Sequence, residues 1–174
     1  MVADKVIVAA GAWTKSILQD IDVNINIHPQ RGQIAHIKTN DSSSSWPVIL
    51  PQNSSHYIVA FDDNRIAFGA TREKETNFDY RITAGGVYEI LKQGLNVVPD
   101  LQENTLSDIR IGFRPMSNDD KPLLGRIPNI KNLIVATGLG KSGLSMGPYI
   151  GYLTAKMALN KKVEVDLEPY NPLR

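Results

Sequence analysis

Residues 133–156, LIVATGLGKSGLSMGPYIGYLTAK, decide the fold. Leu133, Ile134, Val135 and Ala136 form a short apolar, β-branched run that drives into glycines at 138, 140 and 143, and Pro148 opens a helical pattern beyond them. The stretch reads as strand, glycine loop, helix. A junction of this kind leaves free backbone N–H groups at the helix start, and the missing Cβ atoms let an anionic or electron-rich ligand approach closely. A cofactor or phosphate site is the expectation.

A second unit of the same kind stands at the other end of the chain. Lys5 to Ala10, KVIVAA, is a continuous apolar run of the sort a buried parallel strand shows; Gly11 ends it, and residues 13–20 suit a short helix. The chain begins abruptly, with a strand by residue 5 and no preceding element, as if in the middle of a fold. The two units belong to one layer, with the residues between them inserted as a second.

That second layer reads as an antiparallel sheet with a helix. Residues 25–28 alternate, Pro29 interrupts, and residues 33–38 alternate again. Residues 40–45, NDSSSS, have the composition of a surface loop. Tyr57 to Phe61 and Arg65 to Gly69 flank Asp62-Asp63-Asn64, a strong hairpin signal. Thr83 caps a helix running to about Asn96, with Val87, Ile90, Leu91 and Leu95 on one stripe, and Pro99 ends it. Residues 104–113 and 121–124 return to extended character, and no internal repeat is present.

Composition removes several function classes. Nineteen Lys and Arg against eighteen Asp and Glu give a net charge of +1 without a basic or acidic block, which argues against a nucleic-acid partner. No cysteine is present, so disulfides, thiolate nucleophiles and cysteine-based zinc sites are excluded, in keeping with a cytoplasmic protein. His28, His36 and His56 have no metal-ligand spacing. No apolar run approaches the roughly 20 residues that span a bilayer, and the Val6 to Ala10 run is too short for a signal-peptide core.

Three readings of the glycine loop compete. Gly138-x-Gly140-x-x-Gly143, with Glu164 and Asp166 a little over twenty residues on, has the spacing of a dinucleotide fingerprint, yet too little chain follows for a doubly wound sheet. Gly140-Lys141-Ser142 ends like a phosphate-binding P-loop, but the first glycine of that motif would fall on Val135. Glycines at a strand-helix turn also serve close packing alone.

The order of motifs settles the reading. DKVIVAAGAWT at 4–14, HPQRGQ at 28–33, YIVAFDDNRIAFGATRE at 57–73, IRIGFRPMSNDDKPLLGRIP at 109–128, ATGLGKSGLSMGP at 136–148 and DLEPYNP at 166–172 resemble, in this order, segments of the C-terminal half of the D-amino acid oxidase-like family of FAD-dependent amine oxidoreductases. The chain is similar to glycine oxidase and to the small subunit of D-amino acid dehydrogenase over nearly its whole length. The resemblance implies an α+β fold: an antiparallel-sheet substrate domain with flanking helices, plus two strand-helix pieces of an incomplete FAD-binding α/β domain. Its expected bounds are 1–22 for one FAD-domain piece, 23–126 for the substrate domain and 127–174 for the other piece and tail. The family's N-terminal FAD fingerprint is not in these residues, so a fragment that binds FAD poorly by itself is expected.

The resemblance also assigns roles. Arg114, in the RP motif, pairs with the substrate carboxylate, for which a planar guanidinium fork is suited. Tyr57 helps hold the same carboxylate, and Lys141, standing where many members carry an arginine or another polar residue, is a further substrate-binding candidate. Ala10 and Gly11 approach the non-covalently held FAD from one side; Gly138, Leu139, Gly140, Lys141, Ser142 and Gly143 lie against its ring from the other. Leu139 replaces a histidine common in the family. Arg31-Gly32-Gln33 enters the substrate domain near the flavin. The implied reaction passes the Cα hydride of a small amino acid to the flavin, giving an imine that hydrolyses to an oxo acid, and it requires no catalytic base. The alternative is a non-catalytic remnant or interaction module of the same fold. Exposed apolar surface along residues 6–8 and 134–135 would support self-association.

Overall fold

The computed structural model describes residues 3–40, 46–74 and 76–174. Residues 41–45, most of the serine-rich stretch read as a loop, lie outside them. The elements run in the order β1 (Val6–Val8), α1 (Thr14–Gln19), β2 (Ile27–Lys38), β3 (Tyr57–Ala60), β4 (Arg65–Gly69), α2 (Ala84–Val97), β5 (Thr105–Ser117), β6 (Leu123–Arg126), β7 (Leu133–Thr137) and α3 (Gly143–Ala158). Two compact units result: unit 1 is Met1–Gln30 with Arg114–Arg174, and unit 2 is Arg31–Phe113.

Unit 1 is built on a three-stranded sheet in the order β1-β7-β6. β1 pairs parallel to β7, Val6 with Leu133 through Val8 with Val135, so the two apolar runs at opposite ends of the chain do form one layer. β6 joins antiparallel on the other side of β7. Alternation along β7 loads both faces. Leu133 and Val135 enter one core with Val8, Leu18 of α1, Ile25 and Leu123, while Ile134 enters another with Leu124 and with Ile150, Leu153 and Met157 of α3.

This arrangement corrects one expectation about exposure. Ile134 and Val135 are fully buried, because β7 is the central strand with helices or loops on both faces. Of the two runs, β1 is the open one: Val6 and Ile7 are 49% and 44% exposed.

Unit 2 contains a four-stranded sheet in the order β3-β4-β2-β5. The expected hairpin is β3-β4, closed by Phe61 N–H to Arg65 O at 2.8 Å, with Asn64 in the left-handed region at φ +59°. α2 begins where the sequence indicated: Thr83 accepts from the N–H of Gly86 at the helix start, and Ile90 buries completely against Phe68, Ile58, Ala35 and Ile37. Gly94 is required in that helix, since an added Cβ would sit 2.0 Å from the Phe68 ring.

Two prolines behave differently from the sequence reading. Pro29 does not divide β2, which runs unbroken from Ile27 to Lys38. Contact with the β4 side begins only at the Arg31–Glu73 bridge, so β4 asks no hydrogen bond of the proline nitrogen. Pro148 does not open α3 but lies inside it, the helix starting at Gly143 after a 3-10 turn at Gly140–Ser142. Proline lacks the N–H that would reach the Leu144 carbonyl, and Leu144, 99% exposed, lies where water can take that bond.

The inserted unit is also shorter than the expected span 23–126. β6 at 123–126 pairs with β7, and Ile25 and Ile27 pack in the β7 core, so both ends of that span join unit 1.

Candidate active site

In unit 1 the C-terminal ends of the two parallel strands come together through glycine. Gly11 follows β1 with φ +56°, and Gly138 follows β7 with φ +76°, a backbone region that costs other residues about 1–2 kcal/mol. The Gly11 carbonyl accepts two buried hydroxyls, Thr14 Oγ1 at 2.8 Å and Thr137 Oγ1 at 2.9 Å. Thr14 and Thr137 are 0% and 2% exposed, so the turn after β1 is tied to the end of β7 by bonds that water does not compete for.

Above this tie lies an open cleft of about 410 Å³, lined by Ile7, Ala9, Gly11, Thr137 and Leu139 and by Gly147 and Gly151 of α3. Among the described residues no charged side chain lines it. A Cβ added at Gly11, Gly143, Gly147 or Gly151 would meet nothing within 4 Å, so these glycines border free space and are not filled by their neighbours. Gly140 differs: its φ is +51° and an added Cβ would touch Met116 Sδ at 3.0 Å, a packing and conformational requirement. Gly140, Lys141 and Ser142 form the 3-10 turn, Lys141 is exposed, and Ser142 makes no side-chain cap to α3. The first turn of the helix thus has no side-chain cap, and its N-terminal end carries the positive end of the helix dipole.

Ala10, Gly11, Gly138, Leu139, Gly140, Lys141, Ser142 and Gly143 thus all belong to unit 1, on the two turns that follow β1 and β7. An uncharged, glycine-bordered cleft beside an uncapped helix start fits the flat apolar ring of a flavin and the negative charge its polar edge gains on reduction. Among the described residues no group of three or more His, Asp or Glu could hold a metal ion.

Tyr57 belongs to unit 2, and Arg114 opens the second stretch of unit 1. Tyr57 stands opposite Gly69 on the β3-β4 ladder, and its ring lies over that glycine so closely that an added Cβ would be 2.7 Å from the ring. Register fixes the face: Ile58, Phe68 and Ala35 turn into the α2 core, so Tyr57, Gly69 and Ile34 turn away from it. Arg114 is half-buried near the end of β5. Ile109 packs into the α2 core, and alternation along the strand directs Arg110, Gly112 and Arg114 to its other side.

The Arg31-Gly32-Gln33 segment anchors a buried polar network in unit 2. Arg31, 4% exposed, donates to Glu73 Oε2 from Nη2 at 2.6 Å and Nε at 3.0 Å, pairs with Asp79 at 2.8 Å, and reaches the carbonyls of Asp79 and Arg81. Gln33 Nε2 donates to Glu73 Oε1 at 2.7 Å and to Thr83 Oγ1 at 2.8 Å, and Thr71 Oγ1 donates to Glu73 Oε1 at 2.7 Å. Burial works to raise the Glu73 pKa, but the donors Gln33, Thr71 and Arg31 outweigh it and hold the carboxyl below its ordinary range. The network fastens the irregular segment after β4 onto β2.

Several of these residues carry no signal of role in the sequence. Thr14 ends the DKVIVAAGAWT motif and Thr137 stands in ATGLGKSGLSMGP, yet nothing around Thr137 shows the Gly11 carbonyl it meets 126 residues away. Gly147 and Gly151 could have been found from their four-residue spacing with Gly143, had the helix been read from its true start.

The motif order, parallel strand pair and glycine-lined cleft agree with comparison to known proteins. The family model described as FAD dependent oxidoreductase matches residues 2–157, and the chain belongs to that family. Among individual relatives it is 44% identical over 172 residues to the uncharacterized oxidoreductase YurR of Bacillus subtilis, covering 98% of this chain and 46% of that protein. It is 30% identical to the glycine oxidase of Geobacillus kaustophilus, covering 99% of this chain and 45% of that one. The crystal structure of iminodiacetate oxidase from Chelativorans sp. BNC1 superposes with a TM-score of 0.93 at 45% identity, over 99% of this chain and 47% of that chain. The chain therefore spans about half the length of the relatives it matches. Among the described residues no helix is long and apolar enough to cross a membrane.

Proposed function

We propose that a polypeptide containing this chain oxidises the amine of a small amino acid or N-substituted glycine, with FAD as the cofactor. The observation that carries this reading is the uncharged cleft at the ends of β1 and β7, bordered by Gly11, Gly147 and Gly151 beside the uncapped start of α3. When bound, FAD supplies the acceptor for the two electrons and the hydrogen that leave the substrate Cα.

The chain's own residues bind and orient. Arg114 takes the substrate carboxylate through two parallel N–H bonds, and Tyr57 offers a hydroxyl to the same group. Turning the Cα–H bond toward the acceptor is the main service this pair performs, since correct placement supplies much of the rate enhancement. The first N–H groups of α3 stabilise negative charge on the cofactor edge, and the apolar lining of Ile7, Ala9 and Leu139 limits water around it. The oxidised product is an imine, and one water converts it to an oxo acid and an amine or ammonia. No carboxylate or histidine of this chain is assigned a proton-transfer role, because the substrate amine reacts in its neutral form.

The test is product analysis: the FAD-loaded enzyme containing this chain is incubated with glycine, N-methylglycine and iminodiacetate. Stoichiometric glyoxylate from at least one of them is expected. Absence of any oxo acid with flavin bound would refute amino acid oxidation.

A further inference from the structure

His56 is gripped through both ring nitrogens and its backbone. Ser54 Oγ lies 3.2 Å from Nδ1, and the same oxygen accepts the His56 backbone N–H at 3.1 Å. A hydroxyl that accepts from that N–H keeps its own hydrogen to donate to Nδ1, which leaves the ring proton on Nε2. On that side of the ring Glu89 Oε1 of α2 stands 3.2 Å away, and the His56 side chain is only 14% exposed. Nε2 is sealed from solvent, and the carboxylate attracts its N–H from off the bond axis.

This pin stands beside Tyr57. Tyr57 is the first residue of β3 and pairs with Gly69 at the end of the β3-β4 ladder, where strand pairs open most readily. Ile58, one step further in, is held by reciprocal backbone bonds with Ile49, both at 2.9 Å, and by burial in the α2 core. His56 shares the parity of Ile58 and turns toward α2, while Tyr57 turns away. Anchors therefore stand on both sides of Tyr57 in sequence, and neither occupies the face its ring uses.

Gly69 supplies the seat for that ring. An added Cβ there would come within 2.7 Å of the Tyr57 Cζ and 2.8 Å of its hydroxyl oxygen, so the phenol end lies over this glycine. The hydroxyl is the part of Tyr57 that the proposed chemistry uses. A shift of about 1 Å in a substrate-positioning group can lower a rate by about 10²-fold, so the strand end has to be held still.

We propose that His56 is a positioning residue: by pinning the start of β3 to α2 it keeps the Tyr57 hydroxyl over Gly69. That this hydroxyl then meets a substrate carboxylate rests on the function proposed above.

The test has two arms. In this chain, glycine-labelled for NMR, the α-protons of Gly69 report the aromatic ring above them. His56→Ala is expected to move their signal most of the way to its position in Tyr57→Leu, where no ring is present. Glu89→Gln, a change at a half-exposed position of α2, is expected to move it in the same direction by less, and it decides the question if His56→Ala does not fold. An unmoved Gly69 signal overturns the proposal. In the FAD-loaded enzyme, His56→Ala is expected to lower kcat/KM for the best amino acid about three- to tenfold, and less than about 1.5-fold when Tyr57→Phe is already present. His56→Gln, which keeps a donor, should recover most of the loss. A loss that persists undiminished beside Tyr57→Phe overturns the proposal, because His56 would then act through another residue. If Tyr57→Phe alone changes nothing while the Gly69 signal moves as expected, the positioning stands and only the carboxylate role of Tyr57 falls.

Discussion

Thr137 Oγ1 donates to the carbonyl of Gly11 across 126 residues of sequence, at 2.9 Å. The bond joins the ends of two parallel strands at the place where each turns through a left-handed glycine, so the cleft's geometry depends on it. Thr137→Val keeps the shape and removes the donor. It is expected to cost about 1 kcal/mol in unfolding free energy, since Gly11 keeps its bond from Thr14, and to weaken FAD retention further. Denaturant unfolding and flavin titration of the variant check both.

The glycines of the loop separate into two kinds. Gly138→Ala forces a side chain into φ +76° with its Cβ 3.1 Å from the Leu123 nitrogen, and is expected to destabilise by about 1–3 kcal/mol with or without FAD. Gly143 has φ −55°, helical, with open space around it. Gly143→Ala should leave the flavin-free protein within about 0.5 kcal/mol of the parent, or above it, because alanine favours helix. If the ring occupies that space, the same change weakens FAD binding. Thermal melts with and without FAD distinguish the two variants.

Acid sensitivity is expected from His36. Burial, then the nearby Arg110 and Arg65, push its pKa below the ordinary 6.5, against the smaller pull of Asp108 and Asp63. The unfolded chain therefore takes up a proton at a pH where the folded chain does not. This contribution to stability is complete above pH 6.5 and is lost as pH falls from there toward the folded value. Glu73 acts at lower pH: its carboxyl is held below the ordinary range, so its contribution is present above that range and is lost on acidification. Unfolding free energy measured from pH 7.5 to 5, in the parent and in His36→Leu, should show the slope near pH 6 only in the parent.

Much of this was readable because the decisive signals are local. The runs at Val6–Val8 and Leu133–Thr137, the Asp62-Asp63-Asn64 turn and the Thr83 cap each act through neighbours in sequence. The failures came from tertiary context. Pro148 signals a helix start by its lost N–H, and nothing local shows that solvent at Leu144 lets a helix continue through it. Whether Ile134 and Val135 would be exposed depended on β6 taking the second edge of β7, and residues 123–126 carry no mark of which sheet they join. For the candidate site, motif order named the glycines and Arg114. The Thr14, Thr137 and Gly11 cluster needed coordinates, because Thr137 reaches Gly11 from 126 residues away.

Self-association is predicted only through β1. Val6 and Ile7 offer an open parallel edge, whereas Ile134 and Val135 are closed off. A lysine at Ile7 should shift the isolated chain toward monomer in sedimentation measurements at high concentration, as charge on a strand edge blocks pairing. An unchanged distribution would place any association elsewhere.

Arg114 gives the most direct test of the proposed chemistry. Flavin reduction is followed without oxygen after mixing the FAD-loaded enzyme containing this chain with its best amino acid. Arg114→Ala is predicted to retain FAD and to slow reduction at limiting substrate by about 2–5 kcal/mol in apparent transition-state stabilisation, Arg114→Lys recovering only part. An amine lacking a carboxylate should be nearly indifferent to either change. Equal slowing with both kinds of amine, or loss of flavin together with the arginine, would contradict the account.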